Sequence, residues 1–271
     1  MTQATSSSEP NDQPKGDSSE AGDVAVRIRG LVKGFGNFKI HKGLNLDIPK
    51  HKVTYIMGGS GSGKSLLLKQ IMGFITPDEG TVEINGELMD SGNYQSLKKV
   101  RRHMGILFQN GALFDSLNVY DNVSFSLKEN NKKIAKADLD KEVESLLASV
   151  GLAMEHSVKM PSELSGGQRK RVALARAIAT KPSIMMYDEP TTGLDPISTM
   201  MVTNLIKDVS AKHNLTSIVI SHDTHVVFTV AEHIAFLKDG KIRYEGPPRG
   251  VFECQDEDVQ AFFAMEERYR N

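Results

Sequence analysis

Residues 53–72 read VTYIMGGSGSGKSLLLKQIM. The apolar run from Val53 to Met57 stops at a glycine cluster, as a buried strand does, and Leu66 to Met72 continues as a helical run. Between them lies the pattern G-x-x-x-x-G-K-[ST], in which glycines let backbone N–H groups converge on phosphate oxygens at a helix N-terminus. The sequence therefore predicts a strand, a phosphate-binding loop and a helix in succession. The predicted phosphate-binding residues are Gly58, Gly59, Ser60, Gly61, Ser62, Gly63, Lys64, Ser65 and Leu66.

A second apolar run, Ile184 to Tyr187, ends in two carboxylates, Asp188 and Glu189. An Asp at the tip of a buried strand beside a phosphate loop can hold Mg²⁺ through water, and Ser65 of the loop can ligate the same ion. The next carboxylate, Glu189, is placed to polarise an attacking water as a general base. Lys64 is expected to reach the β- and γ-phosphates. The two motifs together predict a nucleotide site with Mg²⁺.

Strand and helix patterns alternate along the rest of the chain. Residues 24–28 alternate apolar and polar as a half-buried strand does, and two apolar runs flank Asp239-Gly240 as the arms of a hairpin. Residues 139–150 have helical spacing and end at Gly151. This alternation predicts an α/β fold with a largely parallel sheet. The stretch 90–161 is richer in helix pattern, which predicts a helical subdomain.

Charge and composition exclude several classes. The chain has 271 residues, with 33 Lys+Arg against 34 Asp+Glu, and this balance argues against a general nucleic-acid binder. The single cysteine, Cys254, excludes a disulfide within the chain. We find no run of 18 apolar residues, so no membrane span is expected. Residues 1–22 are polar and rich in Ser, Pro and acidic side chains, which predicts a disordered tail.

A third motif, Leu164-Ser165-Gly166-Gly167-Gln168, opens another predicted helix and gives a second anion site. The three motifs occur together and in order, and from Val24 to about Pro248 the chain resembles the nucleotide-binding subunits of ABC transporters. The resemblance implies an ATP-hydrolysing domain over 23–248, with a RecA-like mixed sheet core, an antiparallel β subdomain and a helical signature subdomain. Residues 249–271 are expected to form a C-terminal helical extension.

Subunits of that family form a head-to-tail dimer, in which the phosphate loop of one faces the signature helix of the other across ATP. The resemblance implies that Ser165, Gly166, Gly167 and Gln168 contact ATP bound by the partner subunit. Asp195 matches the loop that crosses the dimer interface, and it can also be the N-cap of its helix. In the extension, contact with the neighbouring ATPase subunit and packing on its own domain remain equal alternatives.

Four further positions match functional residues of the family. Phe35 matches the aromatic residue that stacks on adenine, with Phe38 as a competitor. Gln109 matches the glutamine that touches Mg²⁺ and the attacking water, and His222 matches the histidine that contacts the γ-phosphate. The implied catalytic residues are Lys64, Gln109, Glu189 and His222, and the implied Mg²⁺ ligands are Ser65, Gln109 and Asp188.

Residues 110–123, NGALFDSLNVYDNV, fall where the family lines a groove for a helix of the membrane permease. This run resembles the ATPases of bacterial lipid-trafficking systems that work with MCE-domain proteins, in particular the maintenance-of-lipid-asymmetry system of Gram-negative bacteria. The resemblance implies a peripheral protein on the cytoplasmic face of the inner membrane. Its partners would be a permease dimer, a periplasmic MCE-domain protein and a STAS-domain protein, with phospholipid as cargo.

Three alternative functions compete with this interpretation. One is the ATPase of a small-solute importer, such as one for polar amino acids, and the 110–123 segment argues against it. Another is an ABC-type ATPase of DNA repair or translation, which carries coiled-coil insertions or two cassettes, whereas this chain has one phosphate loop and one signature. A third, a regulatory module without hydrolysis, is disfavoured by Glu189 and His222.

Overall fold

The computed structural model describes residues 24–269, and side chains through residue 266. Its larger sheet has six strands in the order β10-β9-β3-β8-β7-β6. Strands β3, β6, β7, β8 and β9 pair in parallel, and β10 is antiparallel to β9. The predicted largely parallel sheet is thus confirmed. The strands are β3 (Val53–Met57), β6 (Met104–Leu107), β7 (Ile184–Asp188), β8 (Thr216–Ile220), β9 (His233–Lys238) and β10 (Lys241–Gly246).

A second sheet is antiparallel, with the order β2-β1-β4-β5. Its long hairpin turns at Gly36-Asn37, so that Phe35 and Phe38 are paired residues at the tip. Val26 and Ile28 are fully buried while Arg29 is exposed, which agrees with the alternation in the sequence. The strands are β1 (Val24–Phe35), β2 (Phe38–Pro49), β4 (Glu79–Ile84) and β5 (Glu87–Leu88).

Residues 24–269 form eight α-helices, and two of these begin at caps that the sequence suggests. The side chains of Ser165 and Asp195 each accept a backbone N–H of the helix they precede. The helices are α1 (Lys64–Ile71), α2 (Tyr94–Arg101), α3 (Val119–Asn130), α4 (Lys136–Ser149), α5 (Gly166–Ile178), α6 (Pro196–His213), α7 (Thr224–Val230) and α8 (Glu257–Phe263). Short 3₁₀ helices cover Met154–Val158, Pro161–Glu163, Pro248–Phe252 and Ala264–Tyr269.

The stretch 90–161 is not a separate helical unit with these bounds. Strand β6 lies inside it and forms the edge of the parallel sheet, and helix α5, which follows it in sequence, packs on α3 and α4. Strand β6 has only four residues, one of them Gly105. So short a run carries little periodicity, which is why the pattern did not predict it.

The buried parallel strands divide their side chains between two hydrophobic cores. Tyr55 and Tyr187 belong to the core covered by helices α3 to α8, whereas Ile56 and Met186 belong to the core closed by the antiparallel sheet. This two-sided burial requires the nearly continuous apolar runs seen in the sequence. Full burial of an Ile or Met side chain such as Ile56 or Met186 contributes about 1.5 to 3 kcal/mol to stability.

The described part of the C-terminal extension packs on its own domain. Val259 and Phe263 are buried, and the Phe263 ring lies 5.8 Å from that of Phe228 on α7. The predicted tail at residues 1–22 and the side chain of Tyr269 lie outside the described part. Among the helices that the structure describes, none is long and apolar enough to cross a membrane.

Candidate nucleotide-binding and hydrolysis site

The phosphate loop leaves β3 at Met57 and enters α1 at Lys64, as the sequence predicts. Three of its glycines have positive φ, 153° at Gly58, 76° at Gly61 and 100° at Gly63. A Cβ atom at Gly58 would collide with the carbonyl oxygen of Leu237, and one at Gly63 would lie 2.8 Å from Nε2 of His41. Only glycine therefore allows the loop to lie this close to its neighbours.

Lys64 lies within the loop that it is expected to serve. It is 6% exposed, and its Nζ donates to the carbonyl oxygens of Gly58 and Gly59 at 2.8 and 2.9 Å. Burial lowers the pKa of Lys64, and the nearby carboxylates of Glu189 and Asp188 oppose that shift. The Lys64 ammonium is therefore hydrogen-bonded to neutral carbonyl oxygens of the loop. Charged phosphate oxygens are stronger acceptors and would replace them.

Functional side chains converge on the phosphate loop because each follows a parallel strand. Gln109 follows β6, Glu189 follows β7 and His222 follows β8, and the carboxyl ends of parallel strands meet at one edge of a sheet. They share a cavity of about 440 Å³ with the loop. Its lining is Ile40, Ser60, Gly61, Ser62, Gly63, Lys64, Ser65, Leu66, Gln109, Glu189, Thr192 and His222.

The Glu189 carboxylate is held by two side chains. Nδ1 of His222 lies 3.0 Å from Oε1 and 2.9 Å from Oε2, and the Thr192 hydroxyl donates to Oε2 at 3.1 Å. The backbone of Glu189 has φ 50°, in the left-handed region. Non-glycine residues held there cost about 1 to 3 kcal/mol and cluster at functional sites. The turn directs the carboxylate into the cavity.

The residues expected to bind Mg²⁺ are partly assembled. The Ser65 hydroxyl donates to Oδ1 of Asp188 at 2.9 Å. Ser65 and Gln109 both line the phosphate cavity. In the described part of the chain, no group of three or more His, Cys, Asp or Glu side chains can hold a metal ion. These donors suit Mg²⁺, which keeps several waters and is usually held by one or two carboxylates together with substrate phosphates.

Ser62 supplies an observation that points to an anionic ligand. Its hydroxyl is buried in the phosphate loop and has no hydrogen-bond partner among the residues that the structure describes. A buried polar group without a partner costs about 1 to 3 kcal/mol. A nucleotide phosphate in the loop would provide an acceptor.

The signature segment faces a different cavity. Ser165 and Gln168 form a capping box, with Ser165 Oγ accepting from Gln168 N at 3.2 Å and Gln168 Oε1 accepting from Ser165 N at 3.0 Å. Ser165, Gly167 and Gln168 line a cavity of about 310 Å³ that also includes Ser198, and Gly166 lies beside Leu194. The lining of the phosphate cavity does not include these residues. The signature is therefore not brought to the phosphate loop of its own chain.

Asp195 is the N-cap of α6 and is exposed. Its carboxylate accepts from the Ser198 backbone N–H at 2.9 Å and from the Ser198 hydroxyl at 2.6 Å. These two hydrogen bonds lower the pKa of Asp195. The capping role is confirmed, while a role at a dimer interface stays a prediction.

The two candidate platforms for adenine are both exposed at the hairpin tip, Phe35 at 54% and Phe38 at 81%. Phe38 lines a cavity of about 630 Å³ together with Gly59, Ser60, Gly61 and Ser62. The lining of that cavity does not include Phe35, whose ring instead has the Lys33 ammonium 5.6 Å from its centroid. The structure thus brings Phe38, and not Phe35, to a cavity that reaches the phosphate loop.

Sequence reasoning missed three side chains around this site. Thr192 contacts Glu189, His41 lies behind Gly63, and Lys170 on α5 is buried with its Nζ donating to the carbonyl oxygens of Pro190 and Thr192. Lys170 thereby ties the signature helix to the loop that follows Glu189. Of these three residues, only Thr192 could have been found from the sequence, because it directly precedes the Gly193-Leu194-Asp195 segment that the sequence itself singles out.

A phosphate loop between strand and helix, with a carboxylate and a histidine across the cavity, defines a P-loop nucleoside triphosphatase. Residues 41–192 match the family model described as ABC transporter, which covers more than half of the chain. The chain therefore belongs to the ABC transporter family, as an ATP-binding, ATP-hydrolysing subunit.

Named relatives agree with this assignment. The chain is 40% identical to the intermembrane phospholipid transport system ATP-binding protein MlaF of Haemophilus influenzae, over 89% of this chain and 90% of that protein. It is 38% identical to the probable ribonucleotide transport ATP-binding protein mkl of Mycobacterium leprae, over 87% of this chain but 67% of that protein. The dimeric cassette MJ0796 bound to ADP and Pi superposes with a TM-score of 0.73, at 32% identity, over 82% of this chain and 98% of that chain.

Proposed function

We propose that this chain is the ATPase subunit of a transporter that moves phospholipid between the inner and outer membranes of a Gram-negative bacterium. The observation that carries the proposal is the nearly end-to-end match with MlaF of Haemophilus influenzae. The match with mkl leaves about a third of that protein uncovered. A small-solute importer is the alternative that the experiment below must separate.

The site residues would act as follows. Lys64 and the loop N–H groups bind the β- and γ-phosphates, and Glu189, oriented by His222 and Thr192, accepts a proton from the attacking water. Ser65, Asp188 and Gln109 would hold Mg²⁺, which neutralises charge on phosphate oxygens when bound. Catalysis then rests on positioning and on charge stabilisation.

We further propose that the working unit is a head-to-tail homodimer. The signature residues lie outside the phosphate cavity of their own chain, and one structural neighbour is a dimer. A second copy would place Ser165, Gly166 and Gly167 across the bound nucleotide, where the N-terminus of α5 favours negative charge. Ile197, Met200 and Met201 are exposed at the start of α6, beside Asp195, and would be covered in such a dimer.

Permease docking would use the surface formed by Phe114 and Phe125. Both residues are 42% exposed, and their ring centroids lie 4.9 Å apart. The Arg176 guanidinium lies 5.3 Å from the Phe114 centroid, and Arg176 Nη2 donates to Gly111 O at 3.1 Å. Exposed aromatic side chains held in place by their neighbours suit a protein partner. This contact would place the chain on the cytoplasmic face of the inner membrane.

The proposal is tested by identifying the proteins and lipids that co-purify with the chain from native membranes. The tagged chain is extracted in mild detergent, and co-purifying proteins and lipid are identified by mass spectrometry. We expect a permease, an MCE-domain protein, a STAS-domain protein and phospholipid. A permease with a solute-binding protein would overturn the phospholipid assignment and leave the ATPase assignment intact.

A matched pair of variants tests the docking surface. The double variant F114A/F125A should lose the permease and keep the ATPase activity of the isolated chain. The control M265A removes an exposed apolar side chain from the C-terminal segment and should keep both. Retention of the permease by the double variant would contradict the docking surface.

A further inference from the structure

His41 is a fully buried polar residue on β2, outside every motif of the sequence. Its Nδ1 lies 2.7 Å from Oε1 of Gln70 on α1, and its Nε2 lies 3.2 Å from the carbonyl oxygen of Gly63. Gln70 is also fully buried. The imidazole therefore joins the antiparallel sheet, the last glycine of the phosphate loop and the helix that follows it.

The groups that face the two ring nitrogens of His41 determine its tautomer. Burial lowers the pKa of His41, so the ring is neutral and has one donor nitrogen and one acceptor nitrogen. With Oε1 of Gln70 against Nδ1, two oxygen acceptors face the ring, and Nε2 of Gln70 has no partner in the described part of the chain. An amide turned by 180° donates to Nδ1 and leaves the His41 Nε2–H to donate to Gly63.

We propose that His41 is a positioning residue for ATP binding, which holds the Gly63 carbonyl and thereby aims the Lys64 backbone N–H at the phosphates. Within a trans peptide unit the C=O and N–H groups point in opposite directions. The Gly63 carbonyl faces His41 and also accepts the Leu67 N–H at 2.9 Å. The Lys64 N–H of the same unit therefore points away from the core, toward the phosphate cavity.

The hydrogen bond from His41 matters because glycine has more conformational freedom than other residues. Gly63 has φ 100°, and a glycine without a fixed partner samples many other conformations. The neighbouring residue Ile40 lines the phosphate cavity, because successive side chains of β2 point to opposite sides. One segment of β2 thus contributes to the cavity wall and holds the loop from behind. This inference rests on ATP binding and does not depend on the cargo.

The test separates positioning from stability. The double variant H41L/Q70L replaces both polar partners by apolar groups of similar volume, a change that can be neutral or stabilising. We expect its thermal midpoint without nucleotide to equal or exceed that of the parent chain. Its Kd for AMP-PNP with Mg²⁺, measured by isothermal titration calorimetry, should weaken about three- to tenfold, since one neutral hydrogen bond is lost.

The variant H41Q is the matched rescue, because its amide N–H can reach the Gly63 carbonyl. Its Kd should stay within twofold of the parent value. The proposal is overturned if H41L/Q70L also stays within twofold, or if H41Q weakens binding as much as the double variant does.

A measurement on the unmodified chain keeps the proposal falsifiable if H41L/Q70L does not fold. With ¹⁵N-labelled histidine, the His41 ring should show the neutral Nε2–H tautomer at pH 7.5, assigned among the eight histidines by its loss in H41Q. The Nδ1–H tautomer or a doubly protonated ring would contradict the assignment. These measurements use the purified chain alone, so their failure leaves the phospholipid proposal untouched.

Discussion

Replacement of Glu189 by Gln is the most direct test of the hydrolytic site. The substitution keeps the size of the side chain and an oxygen that can accept from His222 or Thr192, both of which contact the carboxylate. It removes the negative charge that can accept a proton from water. The φ of 50° at this position is a property of the turn, and Gln tolerates it about as well as Glu does.

The expected loss follows from the role of the carboxylate. A positioned general base contributes roughly 10²- to 10⁴-fold to the rate, or about 3 to 5 kcal/mol of barrier. Nucleotide affinity should be kept or should increase, because Glu189 places a negative charge in the cavity that receives the phosphates. The variant should therefore bind ATP, hydrolyse it slowly and accumulate as a closed dimer.

Two assays check this expectation. Phosphate release gives kcat, and size-exclusion chromatography with Mg-ATP should show a species of twice the mass of one chain. The control Glu144→Gln removes one charge from the exposed face of α4 and should leave both readouts unchanged. A kcat within tenfold of the parent value for Glu189→Gln would refute the assignment of the base.

Three further experiments test other parts of the molecule. Lys64→Ala should weaken ATP binding by at least about 100-fold in a fluorescence titration, since hydrogen bonds from a charged donor contribute roughly 1.5 to 3 kcal/mol each. Phe35→Ala and Phe38→Ala should be compared by the same titration, because loss of a base-stacking ring costs about 1 to 3 kcal/mol and only the true platform should show it. Burial, reinforced by Lys52, lowers the pKa of His233 to about 4, so the stability from its neutral form is complete above pH 6.5 and is lost as the pH falls toward 4. In urea melts, lowering the pH from 6.5 to 4 should therefore reduce the free energy of unfolding of the parent chain by roughly 2 to 3 kcal/mol more than it reduces that of His233→Gln.

Local patterns predicted most of the secondary structure because the deciding interactions are local. The phosphate loop is flanked by the strand and helix that its sequence indicates, and Asp239-Gly240 forms the turn between β9 and β10. The edge strand β6 was missed because four residues cannot establish a period. The order of the strands was also not predictable, since it depends on pairing between distant segments.

The same limit applies to individual side chains of the site. Glu189 and His222 could be predicted because each belongs to a pattern with a known strand context. His41 and Lys170 could not, because their partners Gln70 and Pro190 are 29 and 20 residues away. Lys170 lies between two arginines and His41 lies between Ile40 and Lys42, and neither context indicates which carbonyl the side chain will meet.

The assembly of the site follows from topology more than from any one motif. The loop after β3 and the residues after β6, β7 and β8 are separated by up to about 160 residues in the chain, yet they share one cavity. Parallel pairing in the order β3-β8-β7-β6 brings the carboxyl ends of these strands side by side. The signature follows no strand of this sheet and opens α5 instead, so the same topology that gathers Gln109, Glu189 and His222 leaves Ser165 outside. A site that needs Ser165 must therefore obtain it from another subunit, which we propose is a second copy of the chain.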